Sequence, residues 1–157
     1  MDESSVTMAV IMECVRLANK WADYRWEAIG VVPQPPGAAG GQPRKLVEER
    51  DRTQWLFPGF ELRLRADEAE DYLLNVTAPE PRVFVVWRMD GELARPAWVT
   101  ASYGSAARTV DAGEQVDGVA MPQVLREWVE AYARVHYRPP ERTKGRFAAT
   151  RRGSPQR

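Results

Sequence analysis

Cysteine and histidine are almost missing from this sequence, whose 157 residues include one of each, Cys14 and His136. A single cysteine cannot form a disulfide within the chain. A structural zinc site uses about four Cys or His ligands, and a catalytic one usually uses at least two. These two counts exclude internal disulfides and Cys- or His-rich metal sites within one chain, and they leave Cys14 and His136 as the only Cys–His pair for catalysis.

The sequence patterns do not favour a catalytic role for either residue. Cys14 lies in an apolar strand pattern, where a free thiol usually acts as a small hydrophobe. His136 lies at the end of a predicted helix, where an imidazole often interacts with the helix dipole. Residues 102–105 (SYGS) lack the G-x-S-x-G pattern and are better explained as a strand end with a helix N-cap at Ser105. We therefore predict no catalytic residue and no enzyme activity.

Glycine-rich phosphate loops and calcium loops are missing too. Residues 37–41 contain neither G-x-G-x-x-G nor the Lys-Ser/Thr ending of a P-loop. The acidic residues Asp111, Glu114 and Asp117 do not have the spacing of a calcium loop, so a solvated loop is the commoner explanation. The sequence therefore predicts no metal ligand and no cofactor. Residues for binding a cofactor cannot be named from it.

Long apolar runs are also absent, because no stretch reaches 18 consecutive apolar residues. A transmembrane helix is therefore not predicted. Residues 1–5 are acidic and polar, whereas a secretory signal begins with basic residues followed by an apolar stretch. We expect the protein to be cytoplasmic.

Charge is plentiful but unevenly distributed. The formal net charge is zero, yet residues 138–157 hold seven basic residues and one acidic residue, Glu141. Residues 1–137 are left with 15 basic and 21 acidic residues, a net charge of −6. The sequence therefore describes an acidic body followed by a basic tail.

Apolar alternation and β-branched runs predict about six strands, and the short turns between them imply antiparallel neighbours. These strands are residues 6–15, 25–32, 60–65, 72–77, 83–89 and 96–103. A turn at Pro58–Gly59 precedes the third, and Asp90–Gly91 is a hairpin signal after the fifth. The Pro- and Gly-rich residues 33–43 predict a flexible loop, and residues 45–52 a short helical turn or more loop.

One amphipathic helix is predicted to begin at Pro122 and to end at the prolines 139 and 140. Its apolar face consists of residues at three- and four-residue spacing, namely Leu125, Trp128, Val129, Tyr132 and Val135. Glu130 and Arg134 form an i,i+4 pair on the opposite face. Residues 105–120 predict at most a short helix before Gly113.

The predicted fold is therefore α+β, a curved antiparallel sheet or small β-barrel of about six strands closed by one C-terminal helix. Residues 1–139 are expected to form a single globular domain that includes the flexible loop 33–43. Residues 140–157 are expected to be a basic disordered tail, because they contain almost no core-forming residues.

Aromatic and basic residues are the candidates for partner binding. Five tryptophans besides Trp128 are more than a core of this size requires, and Trp is a favoured anchor at protein interfaces. They are Trp21, Trp26, Trp55, Trp87 and Trp98. The basic tail is suited to an acidic protein surface or to nucleic acid. The candidate partner contacts are Trp55, Trp98, Arg146, Arg151 and Arg152.

Several stretches resemble a small bacterial family, the domain of unknown function numbered 3305. The matching stretches are residues 55–62 (WLFPGFEL), 67–75, 79–81, 85–89 (VVWRM), 99–103 (VTASY), 113–122 (GEQVDGVAMP) and 136–139. The resemblance covers about residues 6–139. It implies a genomic context beside genes for molybdenum-dependent formate dehydrogenase and its maturation factors. Some members carry a label suggesting molybdopterin guanine dinucleotide synthesis, which the missing glycine loop does not support.

The leading hypothesis is a cytoplasmic accessory or maturation protein for a molybdenum-dependent formate dehydrogenase, acting by protein–protein contact. One alternative is a small-molecule or cofactor-binding β-barrel with a pocket between sheet and helix. Another is a nucleic-acid-associated protein that uses its basic tail. The expected partner is formate dehydrogenase or one of its maturation factors, and the oligomeric state does not follow from the sequence.

Overall fold

The structure is a computed structural model that describes residues 4–18, 23–34 and 41–139. The strands are β1 (Ser5–Arg16), β2 (Tyr24–Pro33), β3 (Arg44–Glu48), β4 (Arg52–Arg63), β5 (Arg82–Asp90), β6 (Leu93–Thr100) and β7 (Gln115–Ala120). The helices are α1 (Ala69–Val76), preceded by a 3-10 turn at Ala66–Glu68, then α2 (Tyr103–Asp111) and α3 (Gln123–His136). The predicted basic tail and most of the predicted 33–43 loop lie outside the described residues. None of the helices in the described ranges is long and apolar enough to cross a membrane.

The strands form two antiparallel sheets, which confirms the α+β class. The first sheet has the order β2-β1-β4-β3 and the second the order β6-β5-β7. They share one hydrophobic core, β4 lies against β6, and β2 lies against β7. Within the described residues the strands do not close into a barrel, so the architecture is two packed sheets rather than the single curved sheet or barrel that we predicted.

The predicted turn at Pro58–Gly59 is instead a β-bulge inside the continuous strand β4. Phe60 pairs with Met8 and Phe57 with Val10, so Pro58 and Gly59 together lie opposite one residue of β1. A bulge tolerates proline, and Gly59 has the positive φ of 91° that favours glycine. The Gly59 amide donates to the Gln34 side chain at 2.9 Å rather than to the sheet. The apolar patterns on both sides of the bulge therefore belong to one strand.

Two edge strands were missed by the sequence analysis. Residues 44–48, predicted as a helical turn or loop, form β3, in which Lys45 pairs with Trp55. Residues 115–120, predicted as loop, form β7 and pair with β5. Both are short. β3 is mostly solvent-exposed, and half of β7 is exposed, so neither sequence shows the apolar alternation that marks a half-buried strand.

Residues 72–77, predicted as a strand, form most of helix α1. The alternation of Tyr72, Leu74 and Val76 suggested a strand, but the buried residues follow helical spacing. These are Ala69, Tyr72, Asn75 and Val76. Leu74 is 58% exposed. The polar Asn75 belongs to the buried face, and this hid the helical period from an apolar pattern.

Helix α3 lies where it was predicted, directly after Pro122. Leu125, Val129 and Ala133 are fully buried, whereas Trp128 packs partly buried against the core. Val135 is 65% exposed, so its placement on the buried face was wrong. The helix packs mainly on α1. The predicted pair on its outer face is present, with Arg134 Nη2 at 2.7 Å from Glu130 Oε2.

Candidate functional site

A groove rich in aromatic residues lies where the first sheet meets the β5–β6 hairpin. It consists of two adjoining hollows of about 360 and 590 Å³ that share Cys14, Trp26 and Glu92. We call it the aromatic groove, and it is lined by Cys14, Asp23, Tyr24, Trp26, Lys45, Thr53, Trp55, Met89, Glu92 and Leu93. Cys14 pairs with Trp26 on one side and with Thr53 on the other, so adjacent strands build its floor.

The aromatic groove exposes large apolar side chains to water. Tyr24 is 57% and Met89 is 51% exposed, while Trp26 and Trp55 pack half-buried against the core. The Lys45 ammonium lies 5.1 Å from the centroid of the Trp55 ring, a cation–π contact. Apolar surface of this kind, bordered by charged residues, is typical of a protein- or ligand-binding site.

The structure separates Cys14 from His136. The His136 ring contacts Tyr132, with 4.2 Å between ring centroids, and the Tyr132 hydroxyl lies 3.4 Å from the Leu64 carbonyl oxygen. The Leu64 amide in turn donates to the carbonyl oxygen of Ser4, the residue just before β1 begins. Cys14 lies ten residues further along the chain, a distance of about 30 Å in an extended strand. Burial also raises the pKa of the Cys14 thiol, which disfavours the nucleophilic thiolate.

A second depression lies at the other end of β4 and β6, beside the first turns of α1 and α2. Its volume is about 540 Å³, and most of its lining is polar. We call it the polar cleft, and it is lined by Arg63, Arg65, Asp67, Glu68, Asp71, Trp98, Val99, Thr100, Ser105 and Arg108. Its charged residues come from the 3-10 turn and α1 on one side and from β4 and α2 on the others.

Hydroxyl groups hold the carboxylates of the polar cleft in place. Glu68 accepts hydrogen bonds from Tyr72 at 3.0 Å and from Ser105 at 2.7 Å. Asp71 accepts one from Ser102 at 3.0 Å. The Ser102 hydroxyl also accepts the Ser105 amide at 3.0 Å and so caps helix α2. The N-cap is thus Ser102 rather than the predicted Ser105.

We predict that Tyr72 makes the protein sensitive to alkaline pH. Burial of Tyr72, helped by the nearby Glu68 charge, raises the pKa of its phenol well above the ordinary value near 10. The neutral phenol therefore contributes stability that is complete below about pH 10 and is lost as the pH rises further. Tyr72→Phe removes this proton linkage, so the free energy of unfolding of the variant should fall less steeply above about pH 10.

Urea denaturation between about pH 8 and about pH 11 measures this slope. Tyr24→Phe, which removes the hydroxyl of an exposed tyrosine, is the matched control. At neutral pH the Tyr72→Phe variant should be less stable by about 1 kcal/mol, because Tyr72 also accepts the Arg65 amide at 2.9 Å. Identical slopes for the wild type and Tyr72→Phe would contradict the prediction.

Two of the three acidic residues considered as a metal loop, Glu114 and Asp117, have protein partners. Glu114 pairs with Arg88 at 2.8 Å. Asp117 Oδ2 accepts the Ala28 amide at 2.9 Å and the Trp87 Nε1–H at 2.8 Å, which links β7 to β2 and β5. In the part of the chain that the structure describes, no group of three or more His, Cys, Asp or Glu side chains is placed to hold a metal ion.

The candidate partner residues fall into different places. Trp55 lies in the aromatic groove and Trp98 in the polar cleft. Arg146, Arg151 and Arg152 lie outside the described residues. Tyr24 and Met89 were not predicted as contacts, and they lie at the start of β2 and near the end of β5. Glu68 and Asp71 were not predicted either, because the residues that hold them, Ser105 and Ser102, lie more than 30 residues away in the sequence.

Comparison with known proteins agrees with the resemblance. Residues 7–146, most of the chain, match the family described as "Protein of unknown function (DUF3305)". No curated protein and no solved structure gives a significant match. The chain therefore belongs to the DUF3305 family.

Proposed function

We propose that this protein is a cytoplasmic accessory protein for a molybdenum-dependent formate dehydrogenase and that it acts by protein–protein contact through the aromatic groove. The observation that carries the contact mode is the exposure of Tyr24 and Met89 beside the half-buried Trp26 and Trp55. The enzyme itself is suggested by the genomic context that the family resemblance implies.

The aromatic groove has the chemistry of an interface anchor site. Aromatic and Met side chains are enriched in the buried centres of interfaces, and a few such residues supply most of the binding energy. Lys45, Asp23 and Glu92 place charges of both signs around the groove. Such charges favour specificity and orientation over affinity. The groove therefore suits an apolar segment of a partner that is flanked by polar residues.

Deletion and complementation in the native host test this proposal. Deleting the gene should lower formate dehydrogenase activity, and the wild-type gene should restore it. The double variant Tyr24→Ala/Met89→Ala should fail to restore it, because loss of two anchors weakens a contact by about tenfold or more. The tagged wild-type protein, but not this variant, should co-purify with a formate dehydrogenase subunit or a maturation factor.

The matched control is Val110→Ala/Val124→Ala, which truncates two similarly exposed apolar residues outside the groove. It should restore activity like the wild type. Full restoration by the groove variant would exclude the aromatic groove as the contact surface. Unchanged enzyme activity in the deletion strain would exclude the accessory role itself.

Small-molecule binding is the second candidate function, and the polar cleft is the observation that favours it. The cleft lies between the strand ends of β4 and β6 and the helices α1 and α2. It does not involve α3, although the sequence analysis had expected a pocket between the sheet and the C-terminal helix.

A further inference from the structure

We propose that the polar cleft binds a neutral, hydroxyl-rich ring of the size of a single sugar unit. The cleft volume of about 540 Å³ lies within the range of about 300–1,000 Å³ that is usual for small-molecule sites. This site is distinct from the aromatic groove, and the inference does not depend on the accessory role.

The charges that line the cleft balance. The basic residues are Arg63, Arg65 and Arg108, and the acidic residues are Asp67, Glu68 and Asp71. A cleft of this kind provides no net field that would attract an anion or a cation. It does provide many hydrogen-bond donors beside many acceptors, which suits a ligand whose groups both donate and accept.

The first turn of α2, the natural place for a phosphate, is already taken by a carboxylate. A Cβ added to Gly104 would lie 2.7 Å from Asp71 Oδ2, so this carboxylate sits directly against the start of the helix. A helix N-terminus favours an anion, and Asp71 satisfies that preference. A phosphate or carboxylate ligand placed here would be repelled by Asp71, and this argues for a neutral ligand.

The charged side chains retain capacity for hydroxyl groups. Arg63 pairs with the exposed Glu61 at 2.7 Å, and Arg65 pairs with the exposed Asp67 at 3.4 Å. Exposed pairs of this kind are weak, so a ligand can replace them readily. Each Glu68 oxygen accepts one hydrogen bond from the protein, although a carboxylate oxygen can accept two.

The space beside Gly104 is bordered by groups of opposite charge. The hypothetical Gly104 Cβ would also lie 3.3 Å from Arg108 Nη1. The side chains of Asp71 and Arg108 therefore both lie close to the Gly104 backbone, yet they do not form an ion pair with each other. A hydroxyl group between them would donate to the carboxylate and accept from the guanidinium.

Trp98 supplies the apolar surface that a ring requires. Its indole is 38% exposed, although it belongs to strand β6, whose neighbouring residue Val99 is buried. The face of an indole carries partial negative charge and attracts the polarised C–H groups on one side of a sugar ring. The lining of the cleft thus combines an aromatic residue with polar and charged groups.

Titration with methyl glucoside, methyl galactoside and methyl mannoside tests the proposal on the full-length protein. Saturation-transfer NMR detects the binding, and calorimetric titration gives the affinity, so the measurement does not depend on the tryptophan that the variant removes. At least one glycoside should bind, and Trp98→Ala should weaken it about tenfold or more, the loss expected when a stacking contact is removed. Trp55→Ala, which changes a tryptophan in the aromatic groove, should retain the affinity.

Circular dichroism and the urea midpoint establish that both variants are folded. Three outcomes would overturn the proposal. The first is the absence of binding for all three glycosides, and the second is an equal loss of affinity in Trp55→Ala and Trp98→Ala. The third is a tryptophan fluorescence response to inorganic phosphate or benzoate but not to the glycosides, lost in Trp98→Ala, which would identify an anion site instead.

Discussion

Replacing Asn75 by aspartate is expected to lower the free energy of unfolding by about 2–6 kcal/mol, because one buried and one partly buried carbonyl group each lose a donor at about 1–3 kcal/mol. Asn75 is fully buried, and its Nδ2 donates to the carbonyl oxygens of Arg82 at 2.7 Å and Ala101 at 2.9 Å. Its Oδ1 accepts the Arg82 amide at 2.9 Å. Aspartate has almost the same shape, but its carboxylate would face two carbonyl oxygens. The loss is comparable to the total stability of an average domain, about 5–15 kcal/mol.

Urea denaturation of Asn75→Asp beside Leu74→Ala measures this effect. Leu74 is the preceding residue in the same helix and is largely exposed, so its truncation should change stability by about 0.5 kcal/mol or less. The gap between Asn75→Asp and the wild type should narrow as the pH falls toward about 4, since a protonated acid can donate one hydrogen bond. A wild-type midpoint for Asn75→Asp at neutral pH would contradict the assigned hydrogen bonds.

Leu125→Ala is expected to lower the free energy of unfolding by about 2–5 kcal/mol, since it leaves a cavity where α3 packs. Leu125 is completely buried in the common core. Val135→Ala, on the exposed face of the same helix, should lie within about 0.5 kcal/mol of the wild type. Trp128→Ala should fall between them, because Trp128 is only partly buried.

Chemical denaturation of these three variants checks the order. The sequence pattern placed Trp128 on the apolar face without ranking it below Leu125, and the structure buries the line Leu125, Val129 and Ala133 most deeply. A larger loss for Trp128→Ala than for Leu125→Ala would contradict this order.

Elements with strong local signals were predicted correctly. The central strand β5 has a run of apolar residues, and Gly91, with its positive φ of 67°, supplies the turn that joins it to β6. Helix α3 combines a proline start with three- and four-residue apolar spacing. These signals lie within about ten residues of sequence, and no long-range contact is needed to interpret them.

Elements defined by distant partners were not predicted. Strand β3 is a strand because β4 lies beside it, and β7 because β5 does. The packing of the two sheets against each other depends on contacts such as that between Asp117 and Ala28, which are 89 residues apart. Neither the composition nor the periodicity of a single segment records such partners.

The candidate sites show the same limit. Trp55 could be proposed as a partner contact because tryptophan itself carries that signal, and it lines the aromatic groove. The polar cleft depends on pairs such as Glu68 with Ser105, 37 residues apart, and Asp71 with Ser102, 31 residues apart. In the sequence, Glu68 and Asp71 belong to an acidic run, residues 67–71, which is typical of a solvated turn.

The position of Asp117 has a consequence for self-association. Strand β2 is an edge strand, and an edge strand with free amides is a template for a strand of another molecule. The Asp117 carboxylate accepts the amide of Ala28, which an incoming strand would otherwise use. A negative charge at that point would also meet the carbonyl groups of the intruder. The side chain that joins one sheet to the other therefore also occupies one of the amides through which β2 could pair with a second copy of the chain.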